Sequence, residues 1–449
     1  MVPMLRLPRG AALAAETAEG ARSFAVGFWF PIGSRHEAPQ ERGFAHFVEH
    51  MVFKGSARRG AAELSRVIER VGGYLNAFTD RDSICVHCQV PAAEWRLALD
   101  LLVDMLFASA FREEDFQRER EVIASEIMSA RDDPEECSHD SFLAAIWPGD
   151  PLSRRIAGEP EDIRRITRDA LREFYRAEFR PSNLLVAAAG PGRPADIAED
   201  LARLLDALPA EGVAAGSLLA PQSREVRTPA FSSASSYESA DMEQVHFFEA
   251  VQLEPPFSEK DYYALSALNG AIGEASSSRL FLALREDKGL CYSVYSAFAM
   301  TKTECLWMAA ANASSSGLPE LAAETERQLD LLAEKGLGEE ESADAVTRLV
   351  GSFDVALDDP DFRMRRLARQ ALFSGEADSA DEARAAMAAL SPADLDEACD
   401  RLLRGRARAR FAYGNLSRRA AKASGLSNAK VRAAFGSSLP EFLKAARRG

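Results

Sequence analysis

A break near the middle of the chain constrains its fold most. Between residues 208 and 236 apolar periodicity stops and Pro, Ser, Gly and Ala take over, the composition of a connector rather than of a packed element. A chain of 449 residues is also too long for one ordinary core and suits two. We therefore expect an α+β fold of two similar domains, residues 1–215 and 216–449, each a largely antiparallel sheet flanked by helices.

Hydrophobic patterning on either side of the break supports this reading. Residues 24–30 form an apolar strand closed by Pro31 and Gly33, and a helix should cover residues 45–52. Leu64, Val67, Ile68 and Val71 repeat at helical spacing before the Gly72-Gly73 stop. Residues 74–79 and 84–90 read as strands around the turn Asp80-Arg81-Asp82, followed by helices at 95–107 and 113–130, a helix at 169–178, a strand at 184–189 and a helix from Ala195. The second half runs in a similar order: strand 243–251, helix 261–269, strands 292–300 and 305–311, several helices and a last strand at 409–413. No residue-level repeat connects the halves.

Apolar residues at 47% and charged residues at 27% permit real cores and exclude a disordered chain. The net charge of -15 argues against nucleic-acid binding; it favours cationic ligands if the acids line a cavity, and otherwise serves solubility. The first residues lack the basic-then-apolar pattern of a signal peptide, and no segment approaches a membrane span, so a cytoplasmic location without membrane partners is the default. Six scattered cysteines read as reduced thiols.

His46 and His50 are four residues apart, so on a helix they share one face about a turn apart, suited to one tetrahedral zinc. Glu49 projects to the same side and can reach a water at the metal without ligating it. This H-x-x-E-H pattern needs a third ligand from elsewhere. Glu119, Glu121 and Glu126 on the helix at 113–130 are candidates, and Glu119 and Glu126, seven apart, share a face. From these residues alone, a hydrogen-bonded histidine pair on a helix surface is an equal reading.

The chain resembles the pitrilysin and insulysin family of inverted zincins, which includes the mitochondrial processing peptidase and its short bacterial relatives. The resemblance rests on Gly33-Ser34-Arg35-His36-Glu37, on residues 43–55 (GFAHFVEHMVFKG), on residues 72–79 (GGYLNAFT) and on Glu119-Arg120-Glu121-Val122-Ile123. It continues through Phe174-Tyr175, Arg180-Pro181-Ser182-Asn183 and Ser278-Arg279-Leu280 to residues 285–293 (REDKGLCYS), nearly the whole chain. It implies a zinc endopeptidase with one zinc per chain on His46, His50 and Glu126. Glu49 would be the general base for a water at the zinc, and Glu119 would support the ligands. It further implies substrate contacts from Asn76, Ala77 and Phe53, and from Arg285 and Tyr292, which by themselves read as a surface charge and a strand-start aromatic. The peptide substrate would add as a strand beside residues 75–79. Members of this length supply half of a clamshell chamber. A homodimer is therefore expected, with a heterodimer as the alternative, and the competing function is a non-catalytic partner subunit. Inactive members typically lack one of the four site residues, and here all four are present.

Other features carry less. Cys85 and Cys88 on a strand point to opposite faces and read as core thiols rather than ligands. His36, His139 and His246 are isolated. The run at residues 275–278 lacks the lysine and spacing of a P-loop and reads as a turn.

Overall fold

The computed structural model describes residues 1–209 and 226–428, and in it each half of the chain builds a six-stranded sheet. The expected boundary at 215/216 lies outside the described residues. The first half contains strands β1 (Leu5–Arg6), β2 (Ala12–Thr17), β3 (Ser23–Phe30), β4 (Tyr74–Thr79), β5 (Ile84–Pro91) and β6 (Leu185–Gly190). Its helices are α1 (Phe44–Val52), α2 (Ala61–Glu69), α3 (Trp95–Phe107), α4 (Glu113–Asp132), α5 (Pro134–Ile146), α6 (Pro160–Arg165), α7 (Arg168–Glu178) and α8 (Pro194–Asp206). The second half contains β7 (Ser235–Ser239), β8 (Val245–Leu253), β9 (Val294–Met300), β10 (Cys305–Ala313), β11 (Ala409–Gly414) and β12 (Ser427–Asn428). Its helices are α9 (Glu259–Asn269), α10 (Leu318–Lys335), α11 (Glu339–Ala356), α12 (Pro360–Ser374), α13 (Ala380–Ala388), α14 (Pro392–Leu403) and α15 (Arg418–Ala423).

The sheets run β1-β2-β6-β3-β5-β4 and β12-β7-β11-β8-β10-β9. Pairing is antiparallel except where β2 meets β6 and where β7 meets β11 and β12. Five strands correspond one to one, β2 with β7, β3 with β8, β4 with β9, β5 with β10 and β6 with β11. One topology is thus used twice, without a sequence repeat to announce it.

The two halves also exchange a helix. α12 of the second half lays Met364, Leu367, Ala368 and Ala371 on the outer face of the first sheet. α5 of the first half lays Phe142 and Ile146 on the second, where Phe142 stacks on Phe248 at 4.7 Å between ring centroids. The first sheet receives its helix on Ala12, Ala14, Ala187 and Ala189, whose short side chains let the helix backbone come close. Burial on both faces, not strand propensity, holds β2 and β6 in the sheet.

A buried ion pair ties the halves together. Arg35 reaches both carboxylate oxygens of Glu304 on the β9–β10 turn, at 2.9 and 3.0 Å, and also meets Asp82 at 2.9 Å. Thr301 and Thr303 donate their hydroxyls to the same Glu304. Among the described residues no helix is long and apolar enough to cross a membrane.

Candidate metal centre

Helix α1 is divided by its own periodicity. Phe44, Ala45, Phe47, Val48, Met51 and Val52 are buried in the first core, while His46, Glu49 and His50 occupy the remaining face. Phe47 stacks on Phe116 of α4 at 5.0 Å, and Phe44 meets Phe174 of α7 edge-on at 5.6 Å, so the orientation of the histidine face is fixed by aromatic packing. The helix begins at Gly43 with φ +85°, where a side chain would also run into Ile163 and the Ala157 carbonyl. Glu37 caps it, its two oxygens accepting the Gly43 and Ala45 N–H groups at 2.9 and 2.7 Å. Burial pushes the Glu37 carboxyl up to about 8 against the pull of those two donors.

α4 presents Glu119 and Glu126 to this face. Glu126 Oε1 lies 3.6 Å from His46 Nε2 and Glu126 Oε2 lies 3.5 Å from His50 Nε2. One donor atom from each of the three residues falls within 4.8 Å of the others. In a tetrahedral site with zinc–ligand bonds of roughly 2.0–2.1 Å, neighbouring ligand atoms stand roughly 3.4 Å apart, so both separations have the right size. The donor set of two imidazoles and a carboxylate suits zinc. Burial, with the neighbouring His50, lowers His46 to about 4, keeping it neutral as a ligand must be. His50 is also buried, but Glu126 and Glu119 outweigh that and raise it. Contact with His50 lowers Glu126, leaving it ionised.

Glu119 sits behind His50. Its Oε2 lies 3.1 Å from His50 Nδ1, and its Oε1 accepts from Lys54 at 2.8 Å, with 7% of its side chain exposed. A carboxylate at that position favours a proton on His50 Nδ1, which leaves Nε2, 3.5 Å from Glu126, as the nitrogen able to face a metal. Glu121 is exposed on the far side of α4. Glu49 is half-buried and its carboxyl is raised by burial, an effect opposed by a hydrogen bond from Thr79 on β4. Thr79 and Lys54 were not singled out by the sequence; the usable signal was that residues 75, 77 and 79 share one face of β4, and that face packs on α1.

His46, Glu49, Glu126, Ala77 and Thr79 line a cavity of about 780 Å³. Glu49, Glu126, Asp133, Glu136 and Asp140 supply carboxylates to its wall, against Arg81 and Arg155. Part of the acid excess therefore does line a cavity. β4 is the edge of its sheet, and the Ala77 N–H is met by the side-chain oxygen of exposed Asn76 at 2.9 Å. Phe53 ends α1 and packs partly buried against the core. Arg285 and Tyr292 are not among the residues lining this cavity. They stack on each other just before β9, with the guanidinium 5.0 Å from the tyrosine ring centroid, and Tyr292 is 79% exposed.

Two family profiles match the chain: insulinase (peptidase family M16) over residues 12–160, and the peptidase M16 inactive domain over residues 165–349. An uncharacterized zinc protease of Streptomyces coelicolor is 34% identical over 392 residues, spanning 87% of this chain and 84% of that one. The chain belongs to the insulinase family, peptidase family M16. The resemblance read from its motifs is borne out. A second M16 relative, an uncharacterized zinc protease of Bacillus subtilis, is 29% identical over 85% of this chain and 91% of its own. The crystal structure of a peptidase M16 inactive domain from Pseudomonas fluorescens matches in fold, with a TM-score of 0.82 at 19% identity, covering 93% of this chain and 98% of that chain. The M16 fold accounts for the two similar α+β halves, and α9, the counterpart of α1 in the second half, carries no histidine.

His36 Nδ1 accepts from Gly33 N–H at 3.0 Å, and His139 meets the Tyr295 hydroxyl at 3.1 Å. Cys85 and Cys88 are buried in different cores, and burial raises both thiols, Cys88 to about 12. Residues 275–278 close a turn through Ser278 N–H and the Ala275 carbonyl.

Proposed function

We propose that this M16 protein is a zinc endopeptidase acting on extended peptides. The observation that carries the reading is the convergence of the His46 and His50 Nε2 atoms on the Glu126 carboxylate, with Glu49 in the same cavity. His46, His50 and Glu126 would hold the zinc. When bound, zinc supplies Lewis acidity that polarises a peptide carbonyl and makes water a better nucleophile. Glu49 takes the proton from the attacking water and later delivers it to the leaving amine. Burial raises its carboxyl toward the working range of such a base.

The open edge of β4 receives the substrate as an added strand, so the backbone is recognised in extended form. Asn76 yields the Ala77 N–H to the peptide when the strand adds. Asp140 is paired with Arg155 at 2.8 Å, so the acidic wall left at Asp133 and Glu136 favours a cationic side chain near the scissile bond. Arg285 and Tyr292 are available to contact substrate from a facing domain. Two copies of the chain would close the chamber, each pair serving the other copy's site, and a homologous partner chain could take the second place.

The test is digestion of a mixed peptide library by the purified chain, with and without a chelator. Cleavage that the chelator abolishes and added zinc restores is expected. An intact library with zinc-loaded protein would overturn the reading.

A further inference from the structure

We infer that Thr79 is a positioning residue for Glu49, and that the strand which receives substrate thereby also fixes the proton acceptor. The inference rests on the reading of Glu49 as the base. It begins with the alternation of β4, where Leu75, Ala77 and Thr79 share one face. Leu75 and Ala77 use that face for packing against the core that contains α1. Thr79 is the polar exception, and its hydroxyl donates to Glu49 Oε2.

The consequence for Glu49 is geometric. A glutamate side chain has several rotatable bonds, and a base that wanders by about 1 Å from its water loses much of its advantage. The Thr79 bond pins one oxygen and leaves Oε1 for the water. Threonine suits the task because its branched Cβ limits χ1. Its backbone is equally constrained, since Thr79 pairs with Ile84 at the end of the β4–β5 ladder. The hydroxyl thus stands on a strand whose other edge is open to the peptide. The two requirements of the reaction, substrate alignment and base alignment, meet on one six-residue strand.

Two measurements test this. In the zinc-loaded chain acting on a fluorogenic peptide, Thr79→Val keeps the shape and removes the donor. It should lower kcat about 10- to 100-fold with KM changed less than about twofold and zinc content unchanged, and Thr79→Ser should restore most of the rate. A Thr79→Val chain with near-normal kcat, a loss confined to KM, or equal loss in Thr79→Ser would overturn the inference.

The second measurement needs no metal. In the metal-free chain, thermal unfolding of Thr79→Val, Glu49→Ala and the double variant forms a cycle. If the two side chains are coupled, Thr79→Val lowers Tm beside Glu49 and has little further effect beside Ala. Strict additivity of the Tm shifts would overturn the contact. A wild-type chain that leaves every peptide intact while the cycle is non-additive would instead count against the peptidase reading, with the pairing of Thr79 and Glu49 upheld.

Discussion

Removing the charge on Glu119 should weaken zinc binding without touching a ligand. Glu119 is almost fully buried and contacts His50 Nδ1 at 3.1 Å and Lys54 Nζ at 2.8 Å. A hydrogen bond to a charged group in such a setting is worth about 1.5–3 kcal/mol. Lys54 is 32% exposed and can recover water, so most of the loss falls on His50. Glu119→Gln retains an oxygen that can accept from Nδ1–H, so zinc affinity should fall about tenfold, near 1.4 kcal/mol. Glu119→Ala removes the acceptor altogether and should cost about a hundredfold, near 2.8 kcal/mol. Competition between the purified chain and a chromophoric zinc chelator measures both. If each variant bound zinc within twofold of the parent, Glu119 would have no part in orienting His50.

Two further outcomes are expected. Arg35→Met leaves Glu304, 3% exposed, without its guanidinium and should cost about 3–5 kcal/mol in urea unfolding, much of it recovered in Arg35→Met/Glu304→Gln; additive losses would contradict the pairing. Mixing a Glu49→Gln chain with an Arg285→Ala/Tyr292→Phe chain should partly restore peptidase activity, because one chamber of a mixed dimer would combine the intact zinc site of the second with the intact pair of the first. Confirmed subunit exchange with no return of activity would refute that arrangement.

The helix and strand bearing the site were legible because their signals are local. The four-residue spacing of His46 and His50, the seven-residue spacing of Glu119 and Glu126, and the polar turn after Thr79 all act within a few residues of chain. The Trp95–Phe107 helix and the Tyr74–Thr79 strand were readable to the residue for the same reason. β1, β2, β7 and β12 were not readable, and the strand at 409–413 is not the last, because the two-residue β12 follows it and pairs with β7. β2 reads ALAAET, half alanine with a glutamate and no isoleucine or valine, and is a strand because β6 pairs with it and α12 covers it. The exchange of α5 and α12 is likewise a matter of which face meets which sheet, information that no single segment holds. In the site, the pairing of Glu49 with Thr79 joins residues 30 apart, and of Glu119 with Lys54 residues separated by a helix, a hairpin and another helix. The motif placed His46, Glu49 and His50 on one helix face, and the packing of α1 between β4 and α4 brings Thr79, Glu119 and Glu126 to them.

The central claim is that Glu49 moves the proton while His46, His50 and Glu126 hold the metal. It is tested most directly by titrating zinc into metal-free parent and Glu49→Gln chains while following peptide hydrolysis. Both should bind one zinc per chain with similar affinity, and the Glu49→Gln chain should turn over at least about a hundredfold more slowly. A Glu49→Gln chain that binds zinc and hydrolyses peptide at close to the parent rate would contradict the account.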